Sequence, residues 1–314
     1  MAFELFVQGS GEKTVILLKD SETHCEAEIY AFGGLLNAFR LPVNDQLFTV
    51  VNGFDSVDDA MANITKGFRS AKLSPFVCRM YKGSYLIDDT AYTVEKHFLS
   101  GHAIHGLLYD AVFEVKATSA DTEQAAVTLA YVYDGSLAGY PFPYTMEICW
   151  QLEKNKRLTV TTSVTNQSSQ SIPLADGWHP YFQLGGQVDE WHLQFDSRQQ
   201  FEFNAELIPT GNKTDDTRFL EGSSLQGIQL DNAFELLRSV ARPKCVLQNQ
   251  QLLLTIEPDK SYPVLQVYIP PNRKSIAIEN LSGIPDNFNN RIGLIMLPQG
   301  ETRQFSTSYH VTGK

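Results

Sequence analysis

Three short segments of the sequence carry side chains that can transfer protons. Gly101–Gly106 holds two histidines beside glycines, and Asp176–Phe182 holds a histidine between large aromatic residues. In Ile278–Gly283, a glutamate stands where an apolar strand gives way to a polar loop. Strand ends and the loops after them are common positions for catalytic groups, because a rigid sheet orients what the loop exposes. An imidazole and a carboxylate in one cleft can act as general acid and base.

Each segment also has a purely structural interpretation. A histidine among aromatics, such as His179, is about as often a hydrogen-bonded core residue, and Glu279 taken alone is typical of a solvated strand end. His102 and His105 can be read as turn histidines, or as a metal pair completed by Asp110. No third ligand stands at a recognisable metal-binding spacing. We therefore expect no metal and no cofactor.

The elements that must position these groups are predicted to be strands. In Val127–Tyr133 the bulkiest residues occupy alternate positions, which is the period of a half-buried strand. Turn sequences such as Asp134-Gly135 and Gly185-Gly186 separate the runs. Further runs rich in β-branched and aromatic residues are Tyr109–Lys116, Leu158–Val164, Leu252–Glu257, Val264–Ile269 and Arg303–Val311. Many short strands at this spacing predict an all-β protein, a large antiparallel β-sandwich with few short helices.

One helix is predicted after Ser56, which would cap it, with Asp59 three residues on. The apolar residues of its buried face are Val57, Met61, Ile64 and Phe68. The helix should end near Lys66-Gly67 or one turn later. No alternation of strands and helices follows, which argues against Rossmann and TIM-barrel folds. Without repeats or linker-like tracts, we expect residues 1–314 to form one domain.

Composition limits the partners. The formal net charge of −11 disfavours binding to nucleic acid or an anionic membrane, and the basic residues are scattered. The first ten residues lack a signal peptide pattern, and apolar runs such as Ile292–Leu297 are too short to span a bilayer. The four cysteines are far apart, which predicts reduced thiols. We expect a cytoplasmic protein, a monomer or dimer, with a small-molecule partner.

Six short motifs follow one another along most of the chain. They are Pro75–Tyr85, Ile104–Gly106, Gly139–Pro141, Trp178–Phe182, Pro209–Phe234 and Ile278–Asn289. In this order they resemble the motifs of the aldose 1-epimerase (galactose mutarotase-like) family, and Trp178–Phe182 is the most distinctive match. Two positions depart from the family pattern. His102 stands where many members have asparagine, and Glu279-Asn280 replaces the more usual Glu-Pro.

The resemblance implies the supersandwich fold of galactose mutarotases and an isomerase that interconverts the α and β anomers of a free hexose without a cofactor. It implies Glu279 as the base and His179 as the acid, with His105 as a second donor near the ring oxygen. The reaction suits these groups, since one must take the proton of the C1 hydroxyl while the other protonates the ring oxygen.

The resemblance also implies residues that hold the sugar. Arg79 and Asp231 would bind hydroxyl groups, and His102 would change how hydroxyls are recognised. Aromatic rings offer an apolar face for stacking, so Trp178 or Tyr144 is expected to contact the sugar ring. The stretch that contains Tyr144, residues 140–144, fits either a stacking wall or a packed surface.

Other functions remain open on the sequence alone. A hexose-6-phosphate 1-epimerase would need arginines that converge on a dianion, for which Arg40 and Arg79 are candidates. A sugar-binding protein without catalysis would share the fold. A glycoside hydrolase needs two carboxylates, which Asp231 and Glu279 would supply. An unrelated β-sandwich interaction module is the simplest alternative.

Overall fold

A computed structural model describes residues 2–237 and 244–314, and strands dominate both segments. The strands, in chain order, are β1 (Phe3–Gln8), β2 (Val15–Asp20), β3 (Cys25–Tyr30), β4 (Leu36–Val43), β5 (Gln46–Thr49), β6 (Ala71–Leu73), β7 (Arg79–Met80), β8 (Ser84–Ile87), β9 (Thr90–Thr93), β10 (Phe98–Leu99), β11 (His102–Ile104), β12 (Glu114–Ala120), β13 (Gln124–Tyr133), β14 (Tyr144–Glu153), β15 (Arg157–Asn166), β16 (Ile172–Leu174), β17 (Gly177–His179), β18 (Tyr181–Phe182), β19 (His192–Phe195), β20 (Ser197–Phe203), β21 (Pro209–Asp215), β22 (Ser223–Ser224), β23 (Asp231–Leu236), β24 (Cys245–Gln248), β25 (Leu252–Pro258), β26 (Val264–Tyr268), β27 (Ile276–Leu281), β28 (Ile295–Leu297) and β29 (Thr302–Gly313). The helices are α1 (Val57–Asn63) and α2 (Asn287–Asn290). The predicted all-β class is confirmed.

Three sheets contain most of the strands. The first is five-stranded, in the order β1-β2-β3-β4-β5. The second is nine-stranded, in the order β12-β13-β14-β15-β29-β25-β24-β19-β22, and the third is eight-stranded, with the path β21-β20-β23-β26-β27-β17-β6 and β18 beside β27. Neighbouring strands are antiparallel, as in β13–β14 and β26–β27. The predicted antiparallel sandwich is therefore confirmed as well.

The eight-stranded sheet packs one face against the nine-stranded sheet. The ring of Trp178 on β17 lies 5.3 Å from that of Trp150 on β14, and the two rings meet edge to face. The side-chain amide of Asn280 on β27 donates to Thr307 Oγ1 on β29 at 3.1 Å. Successive side chains of a strand point to opposite faces, so the neighbours of Trp178 and Asn280 point away from this interface. One of those neighbours is His179 and another is Glu279.

Helix α1 begins as predicted and ends earlier. The Ser56 hydroxyl accepts a hydrogen bond from the Asp59 backbone N–H at 3.1 Å, as an N-cap should. The helix ends at Asn63, and the chain then reverses through Gly67 and Phe68, whose φ angles are 101° and 55°. Phe68 was expected on the buried face of the helix, but this reversal places it beyond the helix. Neither helix of the described residues is long and apolar enough to cross a membrane.

A buried ion pair joins the two large sheets beneath β17. Lys72 Nζ lies 2.5 Å from Asp176 Oδ1, and both side chains are fully buried. The ammonium group also donates to Thr162 Oγ1 on β15 at 3.1 Å and lies 4.3 Å from the centre of the Trp178 ring. The hydroxyl of Tyr262 donates to the same carboxylate oxygen at 2.6 Å. These contacts offset part of the cost of burying both charges, while Oδ2 of Asp176 has no hydrogen-bond partner among the described residues.

We predict that Lys72→Met lowers the free energy of unfolding by about 3–5 kcal/mol, because it leaves the Asp176 carboxylate buried without its cation. Urea denaturation would measure the loss. Replacing both residues, as Lys72→Met with Asp176→Asn, should recover part of it. The matched control is Lys116→Met, which removes an exposed lysine paired with Glu147 and should cost much less. Equal losses in the two lysine variants would contradict a special role for the buried pair.

Candidate active site

A cavity of about 650 Å³ opens on the face of the eight-stranded sheet that is turned away from the nine-stranded sheet. Five of the residues singled out in the sequence line it: Arg79, His105, His179, Asp231 and Glu279. They come from segments up to 200 residues apart in the chain, counted from Arg79 to Glu279. The sheet therefore brings together the groups that the motifs indicated, and their roles stay predictions.

Strand register explains how the acidic groups reach the cavity. Gln266 on β26 pairs with Glu279 on β27, so both side chains lie on the same face. On the next strand, β23, the Asp231 carboxylate accepts a hydrogen bond from Gln266 Nε2 at 2.9 Å. Gln266 thus lies between the two carboxylates and orients one of them.

Glu279 and His179 form the closest acid–base contact of the cavity. Nε2 of His179 lies 3.3 Å from Oε1 of Glu279, and both side chains are almost fully buried. The imidazole stacks on the Tyr181 ring, with 5.1 Å between the ring centres. The carbonyl of His179 accepts a hydrogen bond from the Ser70 backbone N–H at 2.9 Å. The stack limits the orientation of the imidazole, and the backbone hydrogen bond fixes the strand that carries it.

His105 lies at right angles to His179, with the ring centres 4.9 Å apart. It adopts a left-handed backbone conformation with a φ angle of 62°, which is uncommon outside glycine. Its backbone N–H donates to the carbonyl of Cys78 at 2.9 Å. Its ring packs against that of Phe68, with 4.6 Å between the ring centres. The turn and these contacts point the imidazole into the cavity beside the Glu279–His179 pair.

Burial shifts the pKa of each titratable side chain around the Glu279–His179 pair. It raises the pKa of Glu279 well above its usual value, and the nearby Asp231 carboxylate adds to the shift. It lowers the pKa of His179 to about 4 and that of His105 well below the usual range, since a charged imidazole loses its hydration here. Burial also raises the pKa of Asp231, against the opposing effect of Arg79. Burial therefore favours the neutral forms of both groups in the Glu279–His179 pair, a carboxylic acid and an uncharged imidazole.

Arg79 supplies positive charge at the edge of the cavity. It belongs to the short strand β7, and its carbonyl accepts a hydrogen bond from the Asp286 backbone N–H at 2.6 Å. The Asp286 carboxylate in turn accepts from the Tyr81 N–H at 2.8 Å, which closes the loop around β7. The Nε atom of Arg79 has no hydrogen-bond partner among the described residues, so a donor remains for a ligand.

Two aromatic predictions are corrected. Trp178 packs its ring on Trp150 and over the Lys72 ammonium group, on the opposite face of β17 from His179. Tyr144 is completely buried on β14, where it contacts the ring of Tyr133. Neither ring lines the cavity, so neither is available to stack on a sugar. Of the two interpretations of residues 140–144, the packed one describes the structure.

His102 lies behind the cavity wall rather than on it. Its Nδ1 accepts a hydrogen bond from the Lys82 backbone N–H at 3.1 Å, and its ring lies 5.4 Å from that of Tyr81. A direct contact with the sugar is therefore not supported. The metal set of His102, His105 and Asp110 is not assembled either, because Asp110 pairs with Lys96 at 2.5 Å.

Arg40, a candidate for binding a phosphate, also lies outside the cavity. Its guanidinium group pairs with Glu28 at 2.8 Å. The cations that do line the cavity, besides Arg79, are Lys66 and Arg69 from the loop after α1.

Sequence reasoning missed several cavity residues. Gln266 is a polar residue in the apolar run Val264–Tyr268, and that break in the pattern was an available signal. Tyr181 was interpreted mainly as packing for the imidazole, and it both stacks on His179 and lines the cavity. Cys78, whose thiol lies 3.7 Å from Oε2 of Glu279, gave no signal, since only the fold brings the two together.

Comparison with known proteins identifies the family. A family model described as aldose 1-epimerase matches residues 14–310. The uncharacterized protein YihR of Escherichia coli (strain K12) is 26% identical over 237 residues, which covers 73% of this chain and 74% of that protein. An aldose 1-epimerase of Streptococcus thermophilus is 23% identical over 268 residues, which covers 81% of this chain and 74% of that enzyme.

Solved structures share the fold over almost the whole chain. A galactose mutarotase-like protein from Clostridium acetobutylicum has a TM-score of 0.85 at 17% identity and covers 99% of both chains. A galactose 1-epimerase from Lactobacillus acidophilus has a TM-score of 0.81 at 15% identity and covers 99% of this chain and 98% of that one. At these identities the likeness establishes the supersandwich fold and not the substrate.

The turn that carries His105 yields a prediction. Gly106 has a φ angle of 76°, and a β-carbon there would lie 2.3 Å from the carbonyl oxygen of Ser74. Gly106→Ala should therefore cost about 2–5 kcal/mol of unfolding free energy, from the left-handed backbone and the clash together.

The matched control is Gly101→Ala in the same segment. Gly101 also has a positive φ angle, 83°, but a β-carbon there would contact nothing within 4 Å. Gly101→Ala should lower the free energy of unfolding only by the cost of the left-handed conformation, about 1–2 kcal/mol. Urea denaturation of both variants makes the comparison. Equal losses would show that the close approach to Ser74 does not constrain the turn.

Proposed function

The chain belongs to the aldose 1-epimerase family, and on that basis we propose that it interconverts the α and β anomers of a free hexose by opening and closing the sugar ring. The observation that carries the proposal is the contact of 3.3 Å between His179 Nε2 and Glu279 Oε1 inside a cavity large enough for a monosaccharide. An acid and a base within reach of one ligand are what this reaction requires.

The proposed reaction moves two protons in each direction. Glu279 takes the proton of the C1 hydroxyl while protonated His179 gives its proton to the ring oxygen, and the bond between C1 and the ring oxygen breaks. The resulting aldehyde rotates about C1–C2. Closure on the other face returns one proton from Glu279 to the new C1 hydroxyl and one from the former ring oxygen to His179.

The buried setting supports this exchange. Before ring opening the pair is a carboxylate and an imidazolium, and afterwards it is a carboxylic acid and a neutral imidazole. The total charge is the same in both states, and burial favours the second state, in which neither group is charged. The raised pKa of Glu279 and the lowered pKa of His179 accordingly favour the transfers of ring opening, in which Glu279 accepts a proton and His179 gives one up. His105 would stabilise the negative charge that develops on the ring oxygen.

Asp231, Gln266 and Arg79 are proposed to hold the sugar hydroxyls. Their side chains line the cavity next to the acid–base pair, and Gln266 already fixes the Asp231 carboxylate. A carboxylate accepts hydrogen bonds from two hydroxyl groups, and a guanidinium donates hydrogen bonds to hydroxyl oxygens. Together they satisfy both the donors and the acceptors of a sugar. This binding would orient C1 toward Glu279.

A hexose-6-phosphate 1-epimerase is the second candidate. Lys66 and Arg69 line the cavity, and no carboxylate of the described residues lies within ion-pair distance of either. A sugar phosphate would match these cations. Against this, the Nη1 atom of Arg69 already donates to the Gly53 carbonyl at 2.6 Å. The relative mutarotation rates of glucose and glucose 6-phosphate would decide between the two candidates.

We predict that Glu279→Gln and His179→Ala each slow mutarotation by roughly 10²–10⁴-fold, because each removes one proton-transfer group. Polarimetry on freshly dissolved α-glucose, α-galactose and glucose 6-phosphate, corrected for the spontaneous rate, measures the effect. Glu147→Gln, at an exposed strand position paired with Lys116, is the control and should keep wild-type rates. A folded Glu279→Gln enzyme with near-wild-type turnover would refute the assignment of the base.

Asp231→Asn should act mainly on substrate affinity. Loss of a hydrogen bond to a charged group costs about 1.5–3 kcal/mol, which corresponds to a decrease in kcat/KM of roughly 10–100-fold. We expect most of this decrease to come from a higher KM. Initial mutarotation rates at increasing sugar concentration would measure it. Asp215→Asn, on the exposed strand β21, is the control. An unchanged KM would exclude Asp231 from the hydroxyl contacts.

A further inference from the structure

The cavity contains a cluster of three potential metal ligands, of which one, Cys78, has no part in the proposed reaction. One ligand atom each from Cys78, His105 and Glu279 lies within 4.8 Å of the other two. We propose that these three residues form a Zn²⁺ site and that the ion inhibits the enzyme reversibly. The inhibition rests on the proposed function, whereas the binding of the ion does not.

The three ligands are preorganised by the backbone. The N–H of His105 donates to the carbonyl of Cys78 at 2.9 Å, which fixes the two residues relative to each other. The Cys78 thiol lies 3.7 Å from Oε2 of Glu279. All three side chains line the cavity although they are more than nine-tenths buried, so an ion can reach them from the cavity side.

One further observation points to a ligand, and the geometry of zinc sites agrees with it. Nδ1 of His105 is buried and has no hydrogen-bond partner among the described residues, which leaves one ring nitrogen without a partner. Zinc ligands bind at about 2.0–2.3 Å, and tetrahedral geometry then separates them by roughly 3.3–3.8 Å. Side-chain rotations that move the ligand atoms by about 1 Å would bring the present separations to these values.

The donor set selects the metal. Sulfur, imidazole nitrogen and carboxylate oxygen are together typical of Zn²⁺ and unlike the all-oxygen sites of Mg²⁺ or Ca²⁺. Binding would displace the thiol proton to solvent. One thiolate and one carboxylate then balance the two positive charges, with a neutral imidazole as the third ligand. A neutral complex suits a site from which water is largely excluded.

Occupation by zinc would block the reaction in two ways. The ion takes the carboxylate of Glu279, which must be free to accept the proton of the C1 hydroxyl. It also fills the cavity where the reacting end of the sugar would lie. The three protein ligands leave a fourth position that faces the cavity, so sugar and metal should compete.

The site is tested first without reference to activity. Cobalt(II) replaces zinc in such sites, and a thiolate ligand gives an intense charge-transfer band in the near ultraviolet. We expect this band when Co²⁺ is added to the wild-type protein, and we expect excess Zn²⁺ to remove it. Cys78→Ser should lack the band. Cys149→Ser, a half-buried cysteine on β14 outside the cavity, should keep it.

Inhibition is then measured by polarimetry at free Zn²⁺ concentrations set with a chelator. We expect inhibition competitive with sugar, reversed by excess chelator, and weakened at least about tenfold in Cys78→Ser relative to that variant's own rate without zinc. Cys78→Ala tests the same ligand if the serine variant does not fold. Absence of the cobalt band, or equal zinc sensitivity in wild type and Cys78→Ser, would overturn the proposal. If no sugar is turned over, the cobalt result still decides the site and only the proposed function fails.

Discussion

Side-chain alternation in the eight-stranded sheet is the constraint on which the rest of the structure depends. On β17, Trp178 packs into the sandwich and His179 faces the cavity. On β27, Asn280 packs into the sandwich and Glu279 faces the cavity. A shift of one residue in either strand would exchange the core residue with the cavity-facing one. The buried Lys72–Asp176 pair opposes such a shift, because it joins β6 and the start of β17 to the nine-stranded sheet.

The same constraint shows what the sequence could predict and what it could not. Alternating runs predicted the strands and the sandwich, and motif order pointed to the residues that meet in the cavity. Trp178 was misassigned although the rule was available, since two adjacent residues of one strand do not face the same cavity. Tyr144 lies on a strand whose alternate positions are all buried, which period-2 reasoning also indicates.

Other features required the fold itself. The thiol of Cys78 contacts Glu279 across 201 residues of sequence, and no local pattern reports such a contact. The end of α1 was misjudged for a different reason. Residues 64–68 continue the apolar spacing of a helix, but tertiary contacts turn Phe68 toward His105 and Tyr109 instead. The positive φ angles of Gly67 and Phe68 end the helical path, and the ring contacts of Phe68 accompany that reversal.

The cavity wall is built from two kinds of backbone. His179, Gln266 and Glu279 lie on strands whose neighbouring side chains fill the core, so packing on the other face holds the backbone that carries them in place. Lys66 and Arg69 lie on the loop after α1, where Lys66 is exposed and Arg69 packs over the Phe54 ring. Substitution of Lys66 can therefore alter the loop side of the cavity while leaving the side chains on the strands in place. The fold separates the part of the cavity that can diversify from the part that must stay constant.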